Sequence, residues 1–414
     1  MSSSSSTNVL ALLAGLAFLL VTPLSSVAED NVARLKSLYD GRRWFELRDA
    51  VAKGGVSVFY QGAVACAFNH LHGCAKKLGS VIKSRPQSDE AFRAHEILAS
   101  AFLRQGKYRE ALAQVDAALV LRPGDSDARN TRPLLAALSE FPDQEITHRA
   151  SSTLQLQDNG LPISIHGVRA TYWFDTGANL SILSDSEAKH FGLAVRAVST
   201  KMGVSTGEKI DLRVAVADEL AIGSVRLKHV AFLIASDDQP PFNESPPGSR
   251  GLIGIPVLLA FQRFAWGADK KFEIGSKALS THAPHGDLCF DGLYPIAQIE
   301  FDKRSLAFVL DTGATNTDLY PPFATAFPEL ISKASKTDSY KMEGVGSLRY
   351  MDAATLPSLN FRIGGYPVIL KPAGVLLKPT GEASKFFEGN LGIDLLQQAH
   401  KTTFDFIAMT LTLQ

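Results

Sequence analysis

The sequence has little cysteine, no excess charge of either sign and no long hydrophobic run. Three cysteines in 414 residues are too few for a fold built on a disulfide framework. Basic and acidic residues number 42 each, which removes the usual electrostatic argument for a nucleic-acid or anionic-membrane partner. No apolar run reaches the roughly 18 residues of a membrane span, so a multi-span membrane protein is excluded. The chain is 45% hydrophobic and long enough for about two to three globular domains.

Residues 1–28 predict a secretory signal peptide. An apolar stretch at 9–21 is followed by small residues that end at Ala28, an order typical of a signal sequence cleaved after that residue. Its N-terminal part carries no Lys or Arg, and an uncleaved N-terminal anchor is the alternative, although the stretch is short for a span. We expect an exported protein, periplasmic or secreted, without membrane contact beyond this segment. In such a compartment Cys66 and Cys74 are candidates for a disulfide.

Residues 29–145 predict a helical domain, because alanine and leucine recur there at spacings of three and four. The segment 94–123 resembles a tetratricopeptide repeat, with Gly106 at the turn between two helices and Pro123 at the end. Ala111 and Ala118 supply small residues where the helices would cross. A generic helical bundle is the alternative interpretation. In both interpretations the region offers a surface on which a protein partner could dock.

From about residue 150 the pattern changes to short β-strands. Runs rich in Val, Ile, Phe and Leu alternate with Gly, Pro, Asn and Asp, which is typical of a β-rich barrel or sandwich. A polar segment around 280–287 reads as a linker between two parts. The clearest predicted strands are 161–165, 171–174, 210–216, 225–234 and 307–310.

The β-rich part contains an internal repeat. Residues 172–179, YWFDTGAN, match 308–315, FVLDTGAT, at an offset of 136. Two further pairs of segments match in the same order at offsets of about 140 and 138, namely 201–204 with 341–345 and 252–258 with 390–396. A single Asp-Thr-Gly would be read as an ordinary strand-to-turn corner. Two copies in register indicate a duplicated site.

With these paired segments the sequence resembles the pepsin and retropepsin-like aspartic proteases. The resemblance covers residues 155–275 and 290–414. It implies two all-β lobes at 150–278 and 288–414, fused in one chain as in pepsin. The Ala that follows each Asp-Thr-Gly is similar to the retroviral and bacterial retropepsin-like type. The predicted fold is therefore multidomain α and β, with N-terminal helical hairpin repeats followed by two all-β barrel lobes.

The resemblance implies that Asp175 and Asp311 form a shared catalytic dyad, one from each lobe. Two carboxylates about 3 Å apart cannot both ionise cheaply, so they share one proton, and the ionised member activates a water. The threonines after each Asp are expected to cross-link the two loops, and the glycines to leave the approach to the carboxylates open. The predicted supporting residues are Thr176, Gly177, Ala178, Thr312, Gly313, Ala314, Gly254 and Gly392.

Two glycine-containing segments, 201–209 and 341–349, are candidate flaps over the substrate. Neither carries the tyrosine that pepsin-like flaps use, and a plain surface hairpin is the alternative. The candidate flap glycines are Gly203, Gly207, Gly344 and Gly346.

The predicted function is that of an exported aspartic endopeptidase acting on extended peptide or protein substrates, with no cofactor. No metal site is expected, because His70, His72 and Cys74 at i, i+2 and i+4 do not share one helical face. Ala178 and Ala314 lack a hydroxyl that could stabilise the ionised dyad, which predicts an optimum less acidic than that of pepsin. One alternative is a catalytically inactive retropepsin-like peptide-binding protein with a helical partner-docking domain. In another, each lobe pairs with a lobe of a second chain.

Overall fold

The computed structural model describes residues 24–157, 160–203, 209–275, 286–344 and 347–414. Within them, helices occupy the first part of the chain and two β lobes follow, which confirms the predicted fold class. No helix in these ranges is long and apolar enough to cross a membrane. The described residues also contain no group of three or more His, Cys, Asp or Glu placed to hold a metal ion.

The helical region is built from consecutive antiparallel pairs whose ends are fixed by short polar side chains and a glycine. Ser88 Oγ accepts from Ala91 N at 3.1 Å, which caps the helix that begins at Asp89. Gly106 lies between this helix and the one that begins at Tyr108. Its φ of +67° is a conformation that favours glycine, and a Cβ there would lie 2.4 Å from Gln144. The helices are α1 Leu24–Asp40, α2 Trp44–Ala52, α3 Val58–Ala67, α4 Leu71–Ser84, α5 Asp89–Arg104, α6 Tyr108–Leu121 and α7 Ser126–Ser139.

Neighbouring helices of this region pack closely through small residues. Ala111 and Ala118 are buried, as expected for positions where helices cross. Cys66 in α3 and Cys74 in α4 form a disulfide. The predicted cleavage point after Ala28 lies inside α1. The classification of this region as tetratricopeptide-like, and the domain boundaries, remain predictions.

The first lobe is a curled ten-stranded sheet in the order β1-β9-β8-β3-β4-β11-β5-β10-β7-β6. The prediction of a single strand at 225–234 is wrong, because His229 takes φ +56° and divides the segment into β9 and β10. The elements are β1 Glu145–His148, β2 Ser152–Gln155, β3 Leu161–Ile165, β4 Val168–Phe174, β5 Ser181–Ser184, α8 Asp185–His190, β6 Arg196–Gly203, β7 Lys209–Ala217, β8 Leu220–Ile222, β9 Val225–Lys228, β10 Val230–Ala235, β11 Gly251–Ile253, α9 Ile255–Ala260, β12 Arg263–Gly267 and β13 Lys271–Ile274.

The second lobe repeats the central strand order of the first. Its sheet contains the sequence β16-β23-β17-β22-β19-β18, which corresponds to β4-β11-β5-β10-β7-β6 with the same parallel and antiparallel pairings. The elements are β14 Leu288–Asp291, β15 Tyr294–Phe301, β16 Arg304–Leu310, β17 Asp318–Leu319, α10 Pro321–Ala326, α11 Pro328–Ile331, β18 Ser335–Gly344, β19 Ser347–Leu356, β20 Leu359–Ile363, β21 Tyr366–Leu370, β22 Ala373–Leu376, the 3₁₀ helix Ala383–Lys385, β23 Gly389–Leu391, α12 Ile393–Leu396, β24 Lys401–Asp405 and β25 Thr410–Leu413.

A five-stranded sheet, β2-β13-β12-β24-β25, joins the two lobes. β12 of the first lobe pairs with β24 of the second, and the rings of Phe264 and Phe404 stack across that pairing with centroids 4.8 Å apart. Phe174, the last residue before the first Asp-Thr-Gly, packs on Trp266 and Phe272 of the same sheet. The two lobes of one chain therefore share a core that supports the first predicted catalytic loop.

Candidate active site

Each predicted catalytic aspartate lies at the end of a strand and is held by the neighbouring parallel strand. Asp175 follows β4, and its N–H donates to Ile253 O of β11 at 2.9 Å. Asp311 follows β16, and its N–H donates to Leu391 O of β23 at 3.0 Å. The two backbones are thus positioned by equivalent bonds in the two lobes.

The two loops meet, so that each carboxylate lies against the glycine of the other loop. A Cβ added to Gly177 would lie 2.6 Å from Cγ of Asp311, and one added to Gly313 would lie 2.4 Å from Cγ of Asp175. Any side chain at either glycine would collide with a carboxylate. Absence of a side chain at these glycines is therefore what allows the two carboxylates to approach each other.

Two buried threonines cross-link the loops by a reciprocal set of hydrogen bonds. Thr176 Oγ1 accepts from Thr312 N at 3.0 Å and donates to Leu310 O at 2.8 Å. Thr312 Oγ1 accepts from Thr176 N at 3.0 Å and donates to Phe174 O at 2.8 Å. Each hydroxyl thus ties its own loop to the strand end and the backbone of the other lobe.

Backbone N–H groups of each loop hold one oxygen of the loop's own carboxylate. Oδ1 of Asp175 accepts from Gly177 N at 2.7 Å and Ala178 N at 3.2 Å. Oδ1 of Asp311 accepts from the N–H groups of Gly313 and Ala314, both at 3.1 Å. Such bonds favour the ionised carboxylate and fix its orientation.

The glycines predicted to support the loops lie where the next segment crosses behind them. A Cβ on Gly254 or on Gly392 would approach the backbone of its own Asp-Thr-Gly loop to 2.6 Å. Gly254 N donates to Ser181 Oγ at 3.0 Å and Gly392 N to Thr317 Oγ1 at 2.9 Å. These two hydroxyls were not among the predicted site residues. Their common offset of 136 within the repeat is the signal that would have revealed them.

The electrostatics of the pair favour one proton between two carboxylates. Burial, and then the adjacent Asp311 carboxylate, raise the pKa of Asp175 well above its ordinary value, while bonds from Gly177 and Ala178 lower it. Burial and a like charge both disfavour ionisation of the second carboxylate when the first is ionised. The site can therefore present an acid and a base side by side.

A family model described as aspartyl protease matches residues 161–257. The match runs through the first lobe from β3 to α9 and confirms the predicted resemblance to aspartic proteases. Among solved structures, a retropepsin-like aspartic protease from Rickettsia conorii is similar at 14% identity and a TM-score of 0.23, over 32% of this chain and 94% of that chain. No curated protein matches the chain in sequence.

The candidate flaps of this protease-like site are β-hairpins in both lobes. Gly203 ends β6 and pairs with Lys209 of β7, while Gly344 ends β18 and pairs with Ser347 of β19. Gly207 and Gly346, the second glycines of the two candidate flaps, lie outside the described residues. The role of these hairpins in covering a substrate stays a prediction.

A further side chain at the site, beyond the two hydroxyls, was also not predicted. Asn390 in β23 donates from Nδ2 to Oδ2 of Asp311 at 3.0 Å. In the first lobe the aligned residue is Leu252, which has no polar atom to offer. An amide at one copy of an otherwise apolar repeat position is a visible sequence signal, but its reach to the carboxylate follows only from the strand pairing.

Proposed function

We propose that this chain is an aspartic endopeptidase that hydrolyses peptide bonds through a water activated jointly by Asp175 and Asp311. The observation that carries the proposal is the reciprocal packing of each carboxylate on the glycine of the other loop. The threonine cross-link supports it, because it fixes the distance between two groups that would otherwise repel. The aspartyl protease match over 161–257 supports the same reaction class.

The chemistry follows from one proton held between two carboxylates. The ionised carboxylate removes a proton from water as the water oxygen attacks the peptide carbonyl. The protonated carboxylate donates its proton to the carbonyl oxygen. The resulting tetrahedral diol collapses, breaking the carbon–nitrogen bond, when the carboxyl that took the water proton gives it to the amide nitrogen. The other carboxylate removes a proton from a diol hydroxyl, which forms the carboxylic acid product and restores the singly protonated pair. No cofactor enters this sequence.

The proposed substrates are extended peptides that lie between the lobes and bind partly by strand-like main-chain hydrogen bonds. The candidate flap hairpins β6–β7 and β18–β19 offer two such covers, one from each lobe. We further propose export of the protein through residues 1–28 and docking of a protein partner on the helical region 29–145. Both stand on the sequence patterns given above.

The test is cleavage of an unfolded protein substrate by the purified chain from pH 3 to 8, beside Asp175→Asn and Asp311→Asn. Each substitution keeps the shape of the side chain but removes a titrating group, so each alone is expected to lower the rate by at least about 10³-fold. Asp302→Asn, an exposed residue of the β15–β16 turn at the opposite end of β16 from Asp311, is the matched control and should keep full activity.

The outcomes separate the proposal from its alternative. Loss of activity in both dyad variants, with thermal unfolding unchanged, supports hydrolysis by a pair contributed by both lobes. A folded wild-type chain that cleaves nothing at any pH but still binds extended peptides would replace the proposal with the peptide-binding protein. A specific activity, per mole of chain, that rises with protein concentration would favour lobes paired between two chains.

A further inference from the structure

Among the described residues, the two halves of the candidate active site hold their aspartates by equivalent backbone bonds but differ in one side-chain contact to a carboxylate. In the described residues each aspartate is held by one backbone carbonyl and by two N–H groups of its own loop. Asp311 alone also receives a side-chain donor, Asn390 Nδ2, on Oδ2. The oxygen in contact with this amide is the one that the loop N–H groups leave free.

Strand register shows that Asn390 and Leu252 occupy the same place in the two lobes. Leu252 of β11 pairs with Trp173 of β4, two residues before Asp175. Asn390 of β23 pairs with Val309 of β16, two residues before Asp311. The duplication therefore offers a built-in comparison, a hydrocarbon side chain beside one carboxylate and an amide beside the other.

The cross-strand neighbours differ in the same sense. Leu252 lies opposite Ile182 of β5, whereas Asn390 lies opposite Asp318 of β17. The hydroxyl of Tyr340, on the candidate flap strand β18, donates to Oδ1 of Asp318. The second lobe thus has a polar wall, formed by Asn390, Asp318 and Tyr340, where the first lobe has an apolar one.

We propose that Asn390 is a positioning residue that keeps Asp311 as the ionised member of the pair and leaves the shared proton on Asp175. The inference rests on the proposed function. An amide N–H can only donate, and a hydrogen bond to a charged acceptor is stronger than one to a neutral acceptor. Leu252 gives Asp175 no such bond. The proton of the pair is therefore more stable on Asp175.

The other groups that face Asp311 act in the opposite direction or not at all in the acidic range. These groups are the Asp175 carboxylate, the Asp318 carboxylate and the buried Tyr320 hydroxyl. Burial raises the pKa of Asp318 to about 6, so this group is neutral below that pH and adds no negative charge there. Burial raises the pKa of Tyr320 far above the working range. The Asn390 amide is thus the contact that distinguishes the two aspartates at acidic pH.

The consequence is a division of roles within the pair. Asp311, ionised, would act as the base toward the attacking water, and Asp175, protonated, would donate to the carbonyl oxygen. Because the pair titrates as a unit, the amide acts on the lower of its two apparent pKa values, the one at which the first carboxyl loses its proton. Removing the amide should therefore move the acidic limb of a pH profile upward.

The experiment compares Asn390→Leu, Asn390→Ala, the mirror variant Leu252→Asn, and the double variant Leu252→Asn with Asn390→Leu. The pair is titrated by NMR in protein with ¹³C-labelled aspartate carboxyls, and kcat/KM is measured over the same pH range. Asn390→Leu and Asn390→Ala should each raise the lower apparent pKa by roughly one pH unit. The double variant transposes the amide to the first lobe and should bring that value back toward the wild type.

Asp318→Asn is the control for the neighbouring carboxyl. The rise in the lower apparent pKa caused by Asn390→Leu must persist in an Asp318→Asn background. If it does not, the effect of Asn390 is transmitted through Asp318. A lower apparent pKa that is unchanged in both Asn390 variants overturns the inference. A fall in the upper apparent pKa instead would mean that the Asn390 amide oxygen accepts a hydrogen bond from protonated Asp311, which also overturns the inference. The NMR titration needs no turnover, so failure of hydrolysis and failure of this inference are told apart.

Discussion

The threonine cross-link makes a quantitative prediction about stability and rate. Thr176→Val keeps the branched shape but removes the hydroxyl, which leaves Thr312 N–H without an acceptor and Leu310 C=O without a donor. Both groups are buried between the loops. Each unsatisfied buried group costs about 1–3 kcal/mol, so we expect the free energy of unfolding to fall by about 2–6 kcal/mol. The loops also lose the contact that fixes the carboxylate spacing, and kcat should fall by about 10²-fold.

Urea unfolding measures the stability change, and the peptide cleavage assay measures the rate. Amide hydrogen exchange at Thr312 N–H reports the broken bond directly, since this group should exchange faster in Thr176→Val. Thr176→Ser is the matched control, because it retains the hydroxyl and should keep most of the stability and protection. A loss below about 1 kcal/mol in Thr176→Val, with Thr312 N–H still protected, would refute the view that these hydroxyls hold the loops together.

Two further predictions concern buried carboxyls outside the pair. Burial raises the pKa of Asp318 from its ordinary 3.8 to about 6, so its contribution to stability is present below about pH 4 and lost by about pH 6. Asp318→Asn, which still accepts from Tyr340, should match wild-type stability at pH 4 and exceed it by about 2 kcal/mol at pH 7.5; equal curves at both pH values would contradict this. Arg42 Nη1 donates to Oδ2 of buried Asp291 at 2.6 Å, and Trp44 Nε1 to Oδ1 at 3.0 Å. Arg42→Met should lower the free energy of unfolding at pH 7 by about 2 kcal/mol, and by less at pH 4 where Asp291 can protonate, as followed by thermal unfolding; a loss that does not depend on pH would argue against an unpaired carboxylate as its cause.

The duplicated site was predictable because its residues are local and repeated. Each Asp-Thr-Gly follows an apolar strand, and the matched segments keep an almost constant offset. The presence of one copy therefore supports the interpretation of the other as a site. The place of Gly254 and Gly392 behind the loops was implied by the resemblance to aspartic proteases. Backbone constraints of this kind leave a clear mark in sequence, because only glycine fits where an added Cβ would lie 2.6 Å from the backbone of a neighbouring segment.

Long-range contacts were not predictable in the same way. The pairing of β12 with β24 joins residues 263–267 to 401–405, and neither strand carries a motif that specifies its partner. The break at His229 depends on a single positive φ within a run that reads as one strand. Asn390 was visible as a polar residue in an apolar repeat position, but its contact with Asp311 depends on the register of β23 against β16.

The contacts of the helical region with the second lobe show how closely the two are packed together. The β14–β15 hairpin of the second lobe ends in Asp291, which Arg42 and Trp44 of the helical region hold.

Arg104 strengthens this connection from the helical side. Its guanidinium donates to Gly292 O at the tip of the hairpin and to Cys66 O, and it lies over the Phe290 ring with its Cζ 4.3 Å from the centroid. Removal of the helices would expose Phe290 and leave Asp291 without its cation. The helical region is therefore an integral part of the packing of the second lobe.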